Sequence, residues 1–509
     1  MTVPEMEWLE LLPIVIVLGA GVIGVVLEAF LPREMRRPVQ LALTLGALSA
    51  ALVAVVLQHD TAIIAASGAI AVDGVALFVQ GTILAVSIIA VLFFADRKIE
   101  GGGGDAFTPS GAALPGSGAE QTLTRLGVLQ TEVYPLTLFA VGGMLLFPAA
   151  NDLLMLFVAL EVLSLPLYLL CALARRRRLL SQEAALKYFL LGAYSSAFFL
   201  FGSALIYGYS GSITFAGIDA ALASRVGQEG LLLTGVALVA VGLLFKVGAA
   251  PFHAWTPDAY QGAPTPVTGF MAAATKVAAF GAMLRIFYVA FGGVRMDWQP
   301  MFWLVAIITM LFGVIAAVTQ TDVKRMLAYS SIAHAGFILV GVVVADEIGT
   351  AAVLVYLATY AFATVGAFAI VMLVRDAGGE ATHLAKWAGL GKRSPVAASL
   401  FALFLLALAG IPLTSGFIGK LAVFRAGIEG GALPLVIVAL VASAIAVFFY
   451  VRVIVLMFFS DPVPDGPSVV VPSLWTVGGI AAAAALTVVL GIFPGPLLDL
   501  ANDAAIFIR

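Results

Sequence analysis

A chain of 509 residues that is 62% hydrophobic and only 11% charged cannot be a string of soluble domains. Length alone would suggest about three of them, yet almost nothing remains between the apolar runs to build a water-soluble core. The net charge of −3 says little, but the single cysteine, Cys171, excludes an intrachain disulfide and any cysteine-ligated zinc or iron–sulfur site within the chain.

Stretch after stretch reaches the roughly 20 residues that cross a bilayer as a helix. Fourteen spanning segments are predicted, near 11–31, 38–57, 73–95, 133–150, 152–174, 184–208, 231–250, 266–291, 300–319, 327–345, 350–375, 396–426, 432–459 and 472–497. They are continuous apolar runs without the alternation of a β-barrel, so the expected class is an all-α membrane protein. The acidic start (Glu5, Glu7, Glu10) lacks a basic signal-peptide region, so the first segment is expected to be retained. Within it, Gly19-Ala20-Gly21-Val22-Ile23-Gly24 matches a dinucleotide-binding pattern. No strand precedes it, and small residues that let membrane helices approach explain it better.

Charge placement sets the expected orientation. Loops after the first, third, fifth, ninth and eleventh segments hold sixteen Lys and Arg, including the run Arg175 to Arg178. Loops after even-numbered segments hold three, Arg225, Arg295 and Arg425. The rule that positive loops stay inside makes the odd loops cytoplasmic. It puts both termini on the outer side of a bacterial inner membrane.

Residues 1–98 form an N-terminal group of three segments, and 99–130 a glycine-rich loop expected to be flexible and without chemistry. The seventh segment runs into Pro251-Phe252-His253-Ala254-Trp255-Thr256-Pro257-Asp258, and the twelfth carries Gly410, Pro412 and Gly416 at its middle. Proline removes a backbone donor and glycine loosens the helix, so both are predicted to be broken helices. Breaks five segments apart suggest two inverted five-helix repeats, segments 4–8 (131–293) and 9–13 (294–460), followed by 461–509. Paired interruptions of that kind point to an ion pathway.

Ionisable groups inside spans cost at least roughly 2.5–3.5 kcal/mol each on insertion scales and need a reason. Here they are Glu161, Lys187, Lys246, Lys276, Arg285, His334 and Lys420. Glu161 needs a facing cation, and Lys246 is the candidate; a helix-packing salt bridge is the plainer reading of the pair. Lys276 has no acid nearby in its own segment, and Lys420 follows a break whose freed carbonyls and hydroxyls (Thr414, Ser415) can hold water beside it. Burial brings the neutral amine within reach, so each can load and release a proton. Lys187 lies near the arginine run and could equally extend to the surface. His334 suits a relay, or is simply satisfied by Ser330 or Ser331. His253 has a supporting place in the seventh-segment break, and Arg285, too basic to release a proton, should anchor a salt bridge.

The run Leu-Phe-Lys-Val-Gly-Ala-Ala-Pro-Phe-His-Ala-Trp-Thr-Pro-Asp-Ala-Tyr-Gln-Gly-Ala-Pro-Thr-Pro-Val from Leu244 to Val267 resembles the antiporter-like membrane subunits of respiratory complex I. That complex is the proton-pumping NADH:quinone oxidoreductase. The likeness extends through Lys276, through Lys-Arg-Met-Leu-Ala-Tyr-Ser-Ser-Ile-Ala-His-Ala-Gly (Lys324 to Gly336), and from Gly410 to Lys420. Lysine at 420, where subunit M typically has glutamate, and an end at Arg509 without the lateral helix of subunit L favour the subunit N type. The resemblance implies Glu161 and Lys246 as a coupling pair, Lys276 as central relay, Lys420 towards the exit, and a matching family lysine at Lys187. It implies no cofactor in this chain. Flavin, iron–sulfur clusters and quinone belong to partner subunits, and neighbours include subunits M and K in the bilayer; no nucleic-acid partner is expected. The alternatives are a subunit of a multisubunit sodium/proton antiporter, or a scaffold whose charges only hold helices together.

Overall fold

The computed structural model describes residues 7–100, 104–224, 227–376, 378–464 and 466–508. Glu5, Gly101 to Gly103, Arg225 and Arg509 lie outside them. Among the described residues, twelve helices are long and apolar enough to span a membrane. In chain order the helices are α1 (Leu12–Phe30), α2 (Arg33–Leu57), α3 (Gly74–Phe94), α4 (Gly118–Arg125), α5 (Val133–Ala149), α6 (Leu153–Cys171) and α7 (Arg178–Ser210). Then come α8 (Phe215–Ser224), α9 (Glu229–Val247), α10 (Trp255–Gly262), α11 (Thr265–Phe270), α12 (Lys276–Arg285), α13 (Arg295–Val318) and α14 (Val323–Val344). The last are α15 (Glu347–Leu373), α16 (Leu390–Arg393), α17 (Pro395–Ala409), α18 (Ser415–Glu429), α19 (Leu433–Phe459), α20 (Leu474–Ile492) and α21 (Gly495–Ala504).

Every predicted segment has helix beneath it. Two fall short of a full span in one piece: the fourth is the 17-residue α5, and the twelfth is split into α17 and α18, 15 residues each. The seventh is split as expected into α9 and α10. Gly248 ends α9 in the left-handed conformation (φ 74°), and Gly410 ends α17 likewise (φ 82°), where a side chain would be strained. Small β pieces were not foreseen: β1 (Ile63–Ala65) pairs with β2 (Ile70–Val72), and β3 (Val374–Asp376) pairs with β4 (Gly379–Glu380) and β5 (Ser468–Val469), all antiparallel.

Burial sorts the helices. The span from α11 through α12 and the whole of α15 are buried along their full apolar windows, whereas only a third of the α1 and α20 windows is covered. A helix that is apolar all round belongs inside. The interior axis is therefore α11–α12, α14 and α15, and it carries Lys276 and His334.

The glycine-rich segment departs from expectation. Phe107 and Thr108 are fully buried, and Ser117 caps α4 through the Glu120 amide. Asp105 lies 3.0 Å from Arg175, Glu120 2.9 Å from Arg178, and Glu100 pairs with Arg176 and Arg375. The segment has too little apolar surface to order itself, and the arginine run holds it instead. Asp105→Ala is expected to speed chymotrypsin cleavage after Phe107 or Leu114 by about threefold or more, since local opening governs such cuts. Unchanged protection would show that the ion pair does not hold the loop.

Candidate proton pathway

Lys246 ends α9 in the last turn before the break, and only 4% of it is exposed. Its Nζ donates to Ser164 Oγ at 2.6 Å and Tyr188 OH at 3.3 Å. Tyr188 stacks on Trp255 (4.4 Å between centroids), and the Trp255 indole donates to the Phe245 carbonyl at 2.8 Å. One of the carbonyls that the break frees is thus satisfied by the residue that starts α10. Glu161 is not in contact with Lys246. Its Oε1 is buried without a hydrogen-bond partner, and Ser164, one turn further along α6, takes the ammonium instead. Ser164 donates its own proton back to the Leu160 carbonyl, which aims its lone pairs at Lys246. Lys246 is thus held by a serine on the same helix as Glu161, and no salt bridge joins the expected coupling pair.

Lys276 follows a π-helical turn, Met271–Thr275, a local widening common where a helix serves a functional site. Its Nζ donates to the Ser331 carbonyl on α14 and lies 5.4 Å from the Tyr360 ring centre. Among the described residues it has no carboxylate partner. Tyr360 donates to Ser331 Oγ at 2.8 Å.

His334 sits one turn beyond Ser331. Its Nδ1 is 2.7 Å from Tyr356 OH and its Nε2 3.3 Å from Tyr450 OH; Tyr450 OH in turn bonds Ser330 Oγ. Neither serine touches the imidazole directly. A small cavity lined by His334, Tyr356, Thr359, Tyr360, Ala407 and Gly416 leads from the histidine to the break between α17 and α18. Across that break Lys420 donates to the Ala409 carbonyl at 2.7 Å and to Ser443 Oγ at 2.9 Å. The ammonium thus takes the last carbonyl of α17, much as Trp255 serves α9.

Lys276, His334 and Lys420 are brought together; Lys187 and His253 are not. Lys187 is about half exposed, 2.8 Å from both Glu183 and Asp258; Asp258 is shared with Arg325 at 2.7 Å. His253 packs its ring 4.4 Å from that of Phe312. Arg285 forms the expected salt bridge, 2.6 Å from Asp73. Sequence reading missed Tyr188, Tyr356, Tyr360 and Tyr450. The only signal for them was the Tyr356–Tyr360 spacing of four, which sets both hydroxyls on one face of α15.

Broken helices around buried lysines and a histidine, inside a largely helical membrane bundle, are the arrangement of an antiporter-like membrane subunit. The chain belongs to the NADH:quinone oxidoreductase/Mrp antiporter transmembrane family, whose model matches residues 150–460. It is 62% identical to NADH-quinone oxidoreductase subunit N of Rhodococcus opacus (99% of this chain, 97% of that one). It is 55% identical to subunit N of Mycobacterium tuberculosis (99% of each). A chain of Thermus thermophilus respiratory complex I superposes with a TM-score of 0.77 at 33% identity, covering 96% of this chain and 99% of that one. A chain of the Mrp complex of a Dietzia species has the same fold (TM-score 0.81, 23% identity, 98% and 96% covered).

Proposed function

We propose that this chain is a proton-translocating membrane subunit, of the subunit N kind, of an NADH-quinone oxidoreductase. NADH oxidation and quinone reduction take place in partner subunits that carry flavin and iron–sulfur clusters, and subunits M and K lie among its membrane neighbours. The chain lies in the inner membrane with both termini on the outer side. The observation that carries the reading is the buried series Lys276, Ser331–Tyr360, His334 with its two tyrosines, the cavity, and Lys420. Each member can hold or pass a proton, and none is locked to a carboxylate. The high identity to curated N subunits favours this over the sodium/proton antiporter, for which the 23% likeness supports only the fold.

Coupling needs no direct contact. At an effective dielectric of about 20, a unit charge about 10 Å away is worth about 1.7 kcal/mol, more than tenfold in proton affinity. A change in charge at Glu161 therefore acts on Lys246, and Lys246 on Lys276, through space. When Lys276 gives up its proton, the Ser331–Tyr360 pair and His334 pass it towards Lys420, whose carbonyl and serine partners hold an ammonium without neutralising it. Lys276→Ala in the assembled complex is expected to keep normal assembly and NADH oxidation by an artificial acceptor. Coupled quinone reduction and proton pumping should fall about tenfold or more. Pumping at the normal rate would reject the relay and favour a scaffold.

A further inference from the structure

A second polar cavity opens at the end of the bundle that bears the arginine run, and the pathway above does not use it. Lys324, Glu380, Ala263, Arg375 and Arg176 line it. Lys324 opens α14, its side chain only 1% exposed, with Nζ 2.7 Å from the Ala263 carbonyl and 3.4 Å from Glu380 Oε2. Glu380 sits on β4 at the mouth, its side chain 18% exposed. Glu100, the other carboxylate there, is taken up by Arg176 and Arg375, which leaves Glu380 to Lys324. Burial opposes the Glu380 carboxylate, but the Lys324 ammonium, the Thr265 hydroxyl and Arg375 together outweigh it and hold the pKa below the usual glutamate value.

α14 runs from the cavity towards Lys276. Lys324 and Ser331 stand seven residues apart on α14, two turns and about 10.5 Å of rise on one face, and Ser331 carries Lys276. Between them lie hydroxyls. Thr265 is fully buried, and its Oγ1 faces Glu380 without closing a well-formed hydrogen bond. The Tyr260 hydroxyl lies beside Ser331. Thr364 Oγ1, next to Tyr360, is likewise buried without a well-formed bond. Buried hydroxyls left open in a polar gap are where water is held.

We propose that Glu380, poised on Lys324, is the carboxylate through which protons from water on the arginine-rich side reach Lys276. The inference rests on the relay role of Lys276 given above. A proton from bulk water adds to a Glu380 oxygen, forming O–H and releasing the hold on Lys324, which keeps the Ala263 carbonyl. That proton then passes through cavity water and the Thr265 and Ser331 hydroxyls to the neutral Lys276 amine. An ammonium forms there, and the carboxylate is restored. Lys324 is a positioning residue in this scheme: it keeps the empty carboxylate ionised and sets it at the mouth.

The test uses the assembled NADH-quinone oxidoreductase in vesicles with an uncoupler present, so that an added weak acid acts as proton donor and not by discharging a gradient. Glu380→Gln and Glu380→Ala are expected to slow quinone-reducing turnover about tenfold at alkaline pH, and less at acid pH, where protons are abundant. Formate should restore Glu380→Ala several-fold, and Glu380→Asp should retain most of the rate. A purely structural ion pair would show neither the formate response nor the pH-dependent loss. Normal turnover of Glu380→Gln at every pH, or slow turnover of Glu380→Ala that formate leaves unchanged, would overturn the proposal. Lys276→Ala measured in parallel separates the two claims. If it stalls while Glu380→Gln runs normally, only the intake site falls; if it runs normally, the relay falls and the intake site with it.

Discussion

Replacing Arg285 with alanine is expected to destabilise the folded chain by about 3–5 kcal/mol, the cost of leaving a buried charge without its partner. Asp73 and Arg285 are 2% and 0% exposed and meet at 2.6 Å. Asp73 also caps α3 through the Ala76 amide at 3.0 Å and accepts from the Ile508 amide at 3.2 Å. Arg285 donates to the Pro148 carbonyl at the end of α5 and stacks over Phe507 at 5.2 Å. One ion pair therefore ties α3, α5, α12 and the C-terminal tail together. Arg285→Ala should lower the thermal midpoint of the purified complex and the amount of chain found in membranes. The double variant Asp73→Asn with Arg285→Met removes both charges and keeps the cap acceptor, so it should be less damaged than Arg285→Ala alone. A double variant as unstable as the sum of the single ones would show that the pair acts by something other than mutual neutralisation.

That pair also marks how far the sequence could be read. Arg285 stood out because a cation in an apolar run violates the pattern, and its anchoring role followed from its basicity. Its partner lies 212 residues away, and no local pattern encodes which helices meet or in what register. The spans and the two breaks were legible for the same reason as Arg285: long apolar runs, prolines and glycines are local signals. Lys276, His334 and Lys420 were legible as misfits. Their true neighbours were not, because Tyr356, Tyr360 and Tyr450 count as ordinary apolar residues until packing brings the first and last hydroxyls to the histidine and that of Tyr360 to Ser331. Ser164 stood close to Glu161 in the sequence, yet only the tertiary structure shows that it takes Lys246. The segment after Gly104 departed from expectation because composition measures apolar burial and ignores Asp105 and Glu120, whose arginine partners lie beyond α6.

Gly416→Ala is expected to be the most damaging single-methyl change in the pathway. A Cβ at Gly416 would stand 1.8 Å from the Ala407 carbonyl oxygen, and backbone cannot turn aside as a flexible side chain can. Ala407 belongs to the last turn of α17, where its carbonyl accepts from the Gly410 amide at 2.9 Å. Gly416 lies one turn before Lys420 on the same face of α18. The missing side chain is what lets α18 lie against the end of α17, and that approach delivers Lys420 to Ala409 and Ser443. The added methyl must push the halves apart, at a cost of about 3 kcal/mol, the upper end of ordinary overpacking, and Lys420 loses its carbonyl. Gly416→Ala should therefore match Lys420→Ala in proton pumping, about tenfold or more below the parent, and should melt earlier than Lys420→Ala does. Gly208→Ala on α7, where the new methyl meets nothing within 4 Å, controls for the methyl itself and should leave both readouts unchanged. Gly416→Ala that pumps normally would mean that the junction of α17 and α18 gives way without moving Lys420, or that Lys420 is not on the path. Lys420→Ala measured beside it decides between the two.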